Sequence, residues 1–279
     1  MPPAPRRLLI SVAHPDDETF GMGSTIAHYA AAGVEVHVGC ATRGEAGEIA
    51  PESDATPETL CDVREAELRA AADVLGVHRV HLLGFRDSGM IPADQNDDPD
   101  AFINANEADV LAKLTRLIRD VRPHVVLTMA PDGGTGHPDH IRISELTTRA
   151  FKLAAHPGYM EPGGLVHAPT KLYYGQIQRS VMLGFMDAIA AEHPEMLEQM
   201  REMGIDKFGV DDDEISARVD VSDVIETRLK ANACHVSQGS PFDMLPPEML
   251  QMALSSDYFT RAIPAWTGGE PEDDLFVGL

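Results

Sequence analysis

A histidine and three carboxylates crowd one short stretch of this chain, Ala13-His14-Pro15-Asp16-Asp17-Glu18. An imidazole and a carboxylate three residues apart in a tight turn, here His14 and Asp17, can both point at one cation. The carboxylate between them, Asp16, then remains free as a base. Much later the chain carries a second such stretch, Gly136-His137-Pro138-Asp139-His140. Together His14, Asp17 and His140 form a two-histidine, one-carboxylate set, which in an open catalytic site commonly holds zinc. The same donor set also holds Fe(II), so zinc is expected with Fe(II) or another divalent metal as the alternative. Such a site activates water and polarises an amide carbonyl. Asp16 is the expected general base, moving the water's proton to the leaving amine. His137 is the expected donor to the developing oxyanion, with Asp139 holding its ring.

These groups need elements that bring them together. The first stretch ends an apolar run, Leu8 to Ala13, with the length and composition of a strand buried inside a sheet. Pro15 cannot donate to a ladder and stops it. The second stretch ends a similar run, Val125 to Ala130, and opens a helix whose inner face carries Ile143, Leu146, Thr147, Ala150, Phe151 and Ala154. His140 is in phase with that face and should point inward. Two HPD tripeptides at strand ends place the chemistry at the carboxyl edge of an open sheet, where α/β folds bind ligands. Further strands are expected at 34–40, 79–83, 171–177 and 217–221. Helices are expected at 21–32, 57–75, 106–121 and 224–234, with methionine-rich helical segments to about Met203 that read as core. On the 57–75 helix Val63, Ala66, Ala70, Ala71, Val74 and Leu75 share a face. Arg64 and Glu67 lie at its margin, which suggests a pair at the crevice rim with Arg64 reaching a ligand hydroxyl.

The pairing of AHPDDE with GHPDH resembles the PIG-L/LmbE-like zinc deacetylases, a family that includes the N-acetylglucosaminyl-phosphatidylinositol, mycothiol- and bacillithiol-pathway deacetylases. Arg64-x-x-Glu67-Leu68, Leu75-Gly76-Val77, Arg86-Asp87-Ser88-Gly89-Met90 and His235-x-Ser237-Gln238 agree in order. The resemblance spans roughly residues 8 to 240. It implies a Rossmann-like α/β fold, a mostly parallel sheet with helices on both faces. The chain would be a single domain with inserted loops (6–240), and a smaller C-terminal portion (241–279) packed on it. It implies removal of an N-acetyl group from an N-acetylglucosamine-type sugar or a related small acylated amine. It also implies that Glu45, in the loop after the second strand, and Asp87 contact the sugar, and that the long segment 86–104 is a flexible lid. A mycothiol-S-conjugate-type amidase of the same family is the alternative. Thr135 stands where the mycothiol-pathway enzymes have a tyrosine, which weakens assignment to that branch alone.

Composition narrows the rest. The formal charge of −23 disfavours nucleic acid or an anionic membrane as partner, because the whole-protein field repels phosphates. No apolar run reaches the length of a membrane span. Three cysteines without paired spacing make no disulfide framework, so a reduced, cytoplasmic protein is expected. The sequence leaves homo-oligomerisation open. Met1 to Pro5, with three prolines, reads as an extended lead-in. Two rival classes are a non-catalytic metal- or sugar-binding module, against which the intact Asp16 and His137 argue, and a nucleotide-dependent transferase. Gly21-x-Gly23 lacks the third glycine of a dinucleotide loop, and the acidic turn before it would repel a pyrophosphate.

Overall fold

The computed structural model describes residues 5–159, 163–192, 194–202, 204, 207, 209–240, 242, 245 and 247–279. Most of the proline-rich lead-in, residues 1–4, and Met203 lie outside the described residues. Seven strands form one sheet: β1 (Arg7–Val12), β2 (Glu35–Cys40), β3 (Arg79–Leu82), β4 (Val125–Thr128), β5 (Lys171–Gln176), β6 (Ala217–Asp220) and β7 (Ser256–Ile263). Their order is β3-β2-β1-β4-β5-β7-β6. The first five run parallel, and β7 is antiparallel to both its neighbours. Leu8, Leu9, Ile10 and Val12 of β1 are at most 1% exposed, so this strand is covered on both faces as its unbroken apolar run requires. The chain winds outward from β1 through β2 and β3, then returns to β4 on the other side. The carboxyl ends of β1 and β4 therefore flank the switch point where such sheets open a crevice.

The helices are α1 (Asp17–Ala31), α2 (Leu60–Leu75), α3 (Glu107–Val121), α4 (Pro138–Ala154), α5 (Arg179–Glu192), α6 (Pro194–Glu202), α7 (Ile225–Asn232) and α8 (Pro247–Leu254). One core lies between the sheet and α1, α2 and α7; a second lies between the sheet and α3 and α4. A smaller cluster joins Phe185, Met186, Ile189, Leu197, Met200 and Met249. Met186 and Met200 are thus packing residues, as the methionine-rich composition to about Met203 suggests. No helix among the described residues is long and apolar enough to cross a membrane.

Three departures from the sequence reading concern the site. First, α1 begins at Asp17 rather than Gly21, because the Asp16 carbonyl already accepts the amides of Thr19 and Phe20. The acidic turn is thus the helix N-terminus, where Asp17 and Glu18 complement the dipole. Second, α2 buries Leu60, Arg64, Leu68, Ala71, Ala72 and Leu75, while Ala66 and Ala70 are exposed and Val74 is 38% exposed. Exposing two alanines forfeits little apolar area, and the rotation carries Arg64 inside. Third, residues 86–104 are not a free lid. Phe102 is fully buried, its amide donates to the Arg86 carbonyl, and the Asn96 side chain donates to the Ser88 carbonyl.

The C-terminal portion belongs to the sheet itself. β7 separates β5 from β6, and Leu275 and Phe276 are buried in the first core beside Tyr29. Position 240 marks no break in the sheet.

Two glycines of α1 test the packing. A Cβ at Gly21 meets nothing within 4 Å, whereas one at Gly23 lies 2.8 Å from Cδ of the buried Arg228. Gly21→Ala is expected to stabilise the fold by about 0.5–1 kcal/mol through helix propensity. At Gly23 the same gain meets overpacking of about 1–3 kcal/mol, so Gly23→Ala should be destabilising. Urea unfolding midpoints of opposite sign would bear this out; two stabilised variants would contradict the packing of Arg228.

Candidate active site

β1 delivers its chain end into a strained turn. Asp16 has φ 109° and ψ −34°, a region that costs a non-glycine residue on the order of 1–3 kcal/mol and persists only when neighbours impose it. Two neighbours do. The Glu18 carboxylate accepts the Asp16 amide at 3.0 Å. Arg64 reaches over from α2, and its Nη2 donates to the Pro15 carbonyl (2.7 Å) and to Asp16 Oδ2 (3.0 Å). Its Nη1 donates to the Gly44 carbonyl. Glu18 is itself fully buried against His235, whose Nε2 lies 3.1 Å from Oε1. Two residues on, the amide and hydroxyl of Ser237 donate to Glu67.

β4 delivers the second set. Gly133 (φ 76°) turns the chain so that its carbonyl meets His140 Nδ1 at 3.0 Å. A Cβ there would press to 3.0 Å on the His137 carbonyl, so the turn needs glycine. With Nδ1 carrying the proton for that carbonyl, Nε2 of His140 presents a lone pair inward. It stands 3.2 Å from His14 Nδ1 and 3.1 Å from Asp17 Oδ1, and His14 Nδ1 is 3.4 Å from Asp17 Oδ2. The other side of the His14 ring faces Asp139 Oδ2 and Asp87 Oδ1, each at 3.2 Å. His137 completes the cluster, its ring centroid 4.6 Å from His14 and 5.0 Å from His140. One donor atom each from His14, His137 and His140 fall within 4.8 Å of one another, as do donors from His14, Asp87 and Asp139.

Charge in this cluster is unbalanced. Burial opposes protonation of His14, yet hydrogen bonds to Asp139, Asp17 and Asp87 raise its pKa well above the ordinary value. Burial likewise opposes ionisation of Asp17, but His140 and His14 hold it well below the usual carboxylate range. Two inward nitrogens and several buried carboxylate oxygens around a single arginine demand further positive charge, and Asp139 Oδ1 is buried with no partner. The donor set fits a divalent cation. Asp16 differs from Asp17: burial pushes it up to about 7, with Arg64 lowering and Asp17 raising it. That is the range a general base needs. Burial and the two neighbouring histidines lower His137 to about 4. Its Nδ1 accepts the Asp139 amide, which places the proton of the neutral ring on Nε2.

The sequence-predicted residues are therefore gathered in one place, but several in different positions. His14, Asp17 and His140 converge. Asp139 does not hold His137 through its carboxylate; it contacts His14 and accepts the Ser88 amide, because the first turn of α4 aims it at the end of β1. Arg64 is 3% exposed and bound to the turn, so the rim position and the free reach to a ligand hydroxyl do not hold. Asp87 is equally buried, joined to His14 and the amides of Ala46 and Gly89, and its pKa is lowered: burial opposes this, but His14 outweighs it. Glu45 accepts the Asp87 amide, so it ties two loops together. The sequence assigns Glu18 no role; its partner is His235, which lies more than two hundred residues away in the chain. Beside the cluster lies a cleft of about 370 Å³ reached by Asp17, His140, Asp132, Thr135, Arg179 and Lys207.

Arg64 gives a pH test. Its cation favours ionised Asp16, so Arg64→Gln should move the acid limb of kcat/KM to higher pH, while Arg64→Lys keeps it near the wild-type position. Identical limbs in wild type and the Gln variant would remove Arg64 from the control of Asp16.

The model of the family described as PIG-L: GlcNAc-PI de-N-acetylase matches residues 9–151. A 1D-myo-inositol 2-acetamido-2-deoxy-α-D-glucopyranoside deacetylase of Streptomyces griseus is 36% identical, across 98% of this chain and 89% of that protein. One of the same description from Geodermatophilus obscurus is also 36% identical, across 98% of each. Among solved structures, the N,N'-diacetylchitobiose deacetylase of Pyrococcus horikoshii has a TM-score of 0.65 at 20% identity, covering 92% of this chain and 83% of that one. A 4-carboxy-2-hydroxymuconate hydratase of Pseudomonas putida has a TM-score of 0.61 at 21% identity, covering 95% and 99%. These two share the fold and differ in described chemistry, so the fold alone does not decide the activity.

Proposed function

Because this chain belongs to the PIG-L (GlcNAc-PI de-N-acetylase) family, we propose that it hydrolyses the 2-acetamido group of a glucosaminide, with acetate and the free amine as products. The observation that carries this reading is the mostly buried Asp16 carboxylate, raised to about 7, beside the converged donors of His14, Asp17 and His140. The near-full-length relatives described as acetamido-glucopyranoside deacetylases support it over the hydratase chemistry of a mere fold neighbour.

His14, Asp17 and His140 would hold one divalent cation, zinc or Fe(II), which when bound polarises the acetamide carbonyl and lowers the pKa of water toward neutrality. Asp16 takes the proton from the attacking water and returns it to the nitrogen as the C–N bond breaks. The His137 Nε2–H donates to the oxygen that gains charge while water adds to the carbonyl carbon. It can do so as a neutral imidazole, consistent with its lowered pKa. Arg64 and Glu18 hold the Asp16 backbone and carboxylate in place; Asp87, Asp139 and Glu45 fix His14 and the loops around it. The sugar would lie in the cleft lined by Thr135, Arg179 and Lys207.

The test is a panel of N-acetylglucosaminides offered to metal-reconstituted protein, with release of primary amine measured by fluorescent labelling. Amine release that requires metal supports the reading. No release from any member, with metal bound, would sink it.

A further inference from the structure

The proposed reaction leaves a second cavity unused. It holds about 320 Å³ and shares with the catalytic cleft the wall formed by Phe20, Gly21, Gly175, Gln176 and Ile177. Its far side is apolar: Val181, Met182, Phe185, Met200, Leu245 and Met252. Among the described residues on its border, the two charged ones are already engaged. Arg228, 2% exposed, donates to the Phe20 carbonyl, to Ser24 Oγ and to Asn232 Oδ1. Asp257 accepts both the amide and the hydroxyl of Thr25. Ile177 and Met252 nevertheless remain 42% and 48% exposed, an apolar surface left facing water beside a reaction site. Unbranched methionines adapt to varied apolar shapes better than a rigid lining does.

We propose that this cavity is a subsite for an apolar alkyl or aryl group carried on the amine-bearing side of the substrate, beyond the sugar ring. The inference rests on the deacetylase reading in one respect: the acyl fragment leaves as acetate, so a group large enough to fill the cavity must belong to the other product. Binding there works by removing apolar surface from water, without charge recognition. Each methylene that becomes fully buried contributes about fourfold in affinity.

The experiment uses the metal-reconstituted full chain and alkyl N-acetylglucosaminides from methyl to hexyl. kcat/KM is expected to rise by up to about fourfold per methylene, mainly through KM, until the cavity is filled. Met252→Glu places a charge in the lining at an exposed position, and Val181→Trp fills it. Both should flatten the series while the methyl glycoside is turned over as in wild type. Calorimetric binding of the deacetylated alkyl glucosaminides separates the two readings. Affinity that climbs with chain length without any amine release keeps the subsite and removes the reaction. Turnover of the methyl glycoside with a flat series removes the subsite and keeps the reaction. A steep series that neither variant alters would also overturn the assignment, by placing the chain elsewhere.

Discussion

Asp16→Asn is expected to keep its metal and lose on the order of 10²–10⁴ in turnover, the usual worth of a positioned general base. The amide retains an oxygen for Arg64, and asparagine is among the residues that best tolerate positive φ, so the strained turn should survive. What it lacks is the capacity to take a proton. The same substitution has a consequence for stability. The folded-state pKa of Asp16 rises from 3.8 to about 7 because burial disfavours the ion. Between those values the native state binds more protons than the unfolded one, so stability contributed at this position falls as pH rises through that window. The Asn variant escapes that loss. Metal content, kcat and denaturant midpoints against pH would together check the assignment. If metal and activity fell in parallel, Asp16 would be a ligand rather than a base.

His140→Ala should remove metal itself. The variant deletes one of two inward nitrogens and leaves Asp17 without the histidine 3.1 Å from its Oδ1. Lewis-acid catalysis is worth several kcal/mol, so activity is expected to fall by about a thousandfold or more. Elemental analysis after dialysis should show metal well below one ion per chain. Full occupancy in this variant would show that the donors are wrongly assigned, with His137 as the nearest substitute in the cluster.

The parts of the molecule legible in the sequence are those marked by punctuation and unbroken apolar runs. Pro15 and Pro138 fix where strand gives way to helix, and β1 and β4 are too uniformly apolar to lie anywhere but inside. The convergence of His14, Asp17 and His140 followed from those strand ends. Arg64 was misplaced for a different reason. Helical phase puts it at the margin of a face, and only the packing of α2 against the turn decides whether a long side chain folds inward or out. Nearness in sequence suggests that Asp139 serves the His137 ring, whereas the first turn of α4 brings its carboxylate to His14 and the Ser88 amide. Asp87 and Glu45 bind to backbone amides far away in the chain, contacts that no local pattern encodes. Residues 256–263 do not read as a strand because five of the eight, Ser256, Asp257, Thr260, Arg261 and Ala262, are polar, charged or small, and seven of the eight are half-exposed in the fold.

That late strand sets the order in which the molecule can be completed. Among the described residues β7 is the strand that joins β6 to the rest of the sheet, and β5 has one flank open until β7 arrives. During synthesis the first five strands emerge before β7, so one flank of β5 stays unpaired until residues 256–263 leave the ribosome. An unpaired edge is a template for association with other chains. Long-range closure of this kind is slow, because loop entropy must be lost before the strand's contacts form. The chain therefore presents the turn at His14–Glu18 early and covers the open flank of β5 late.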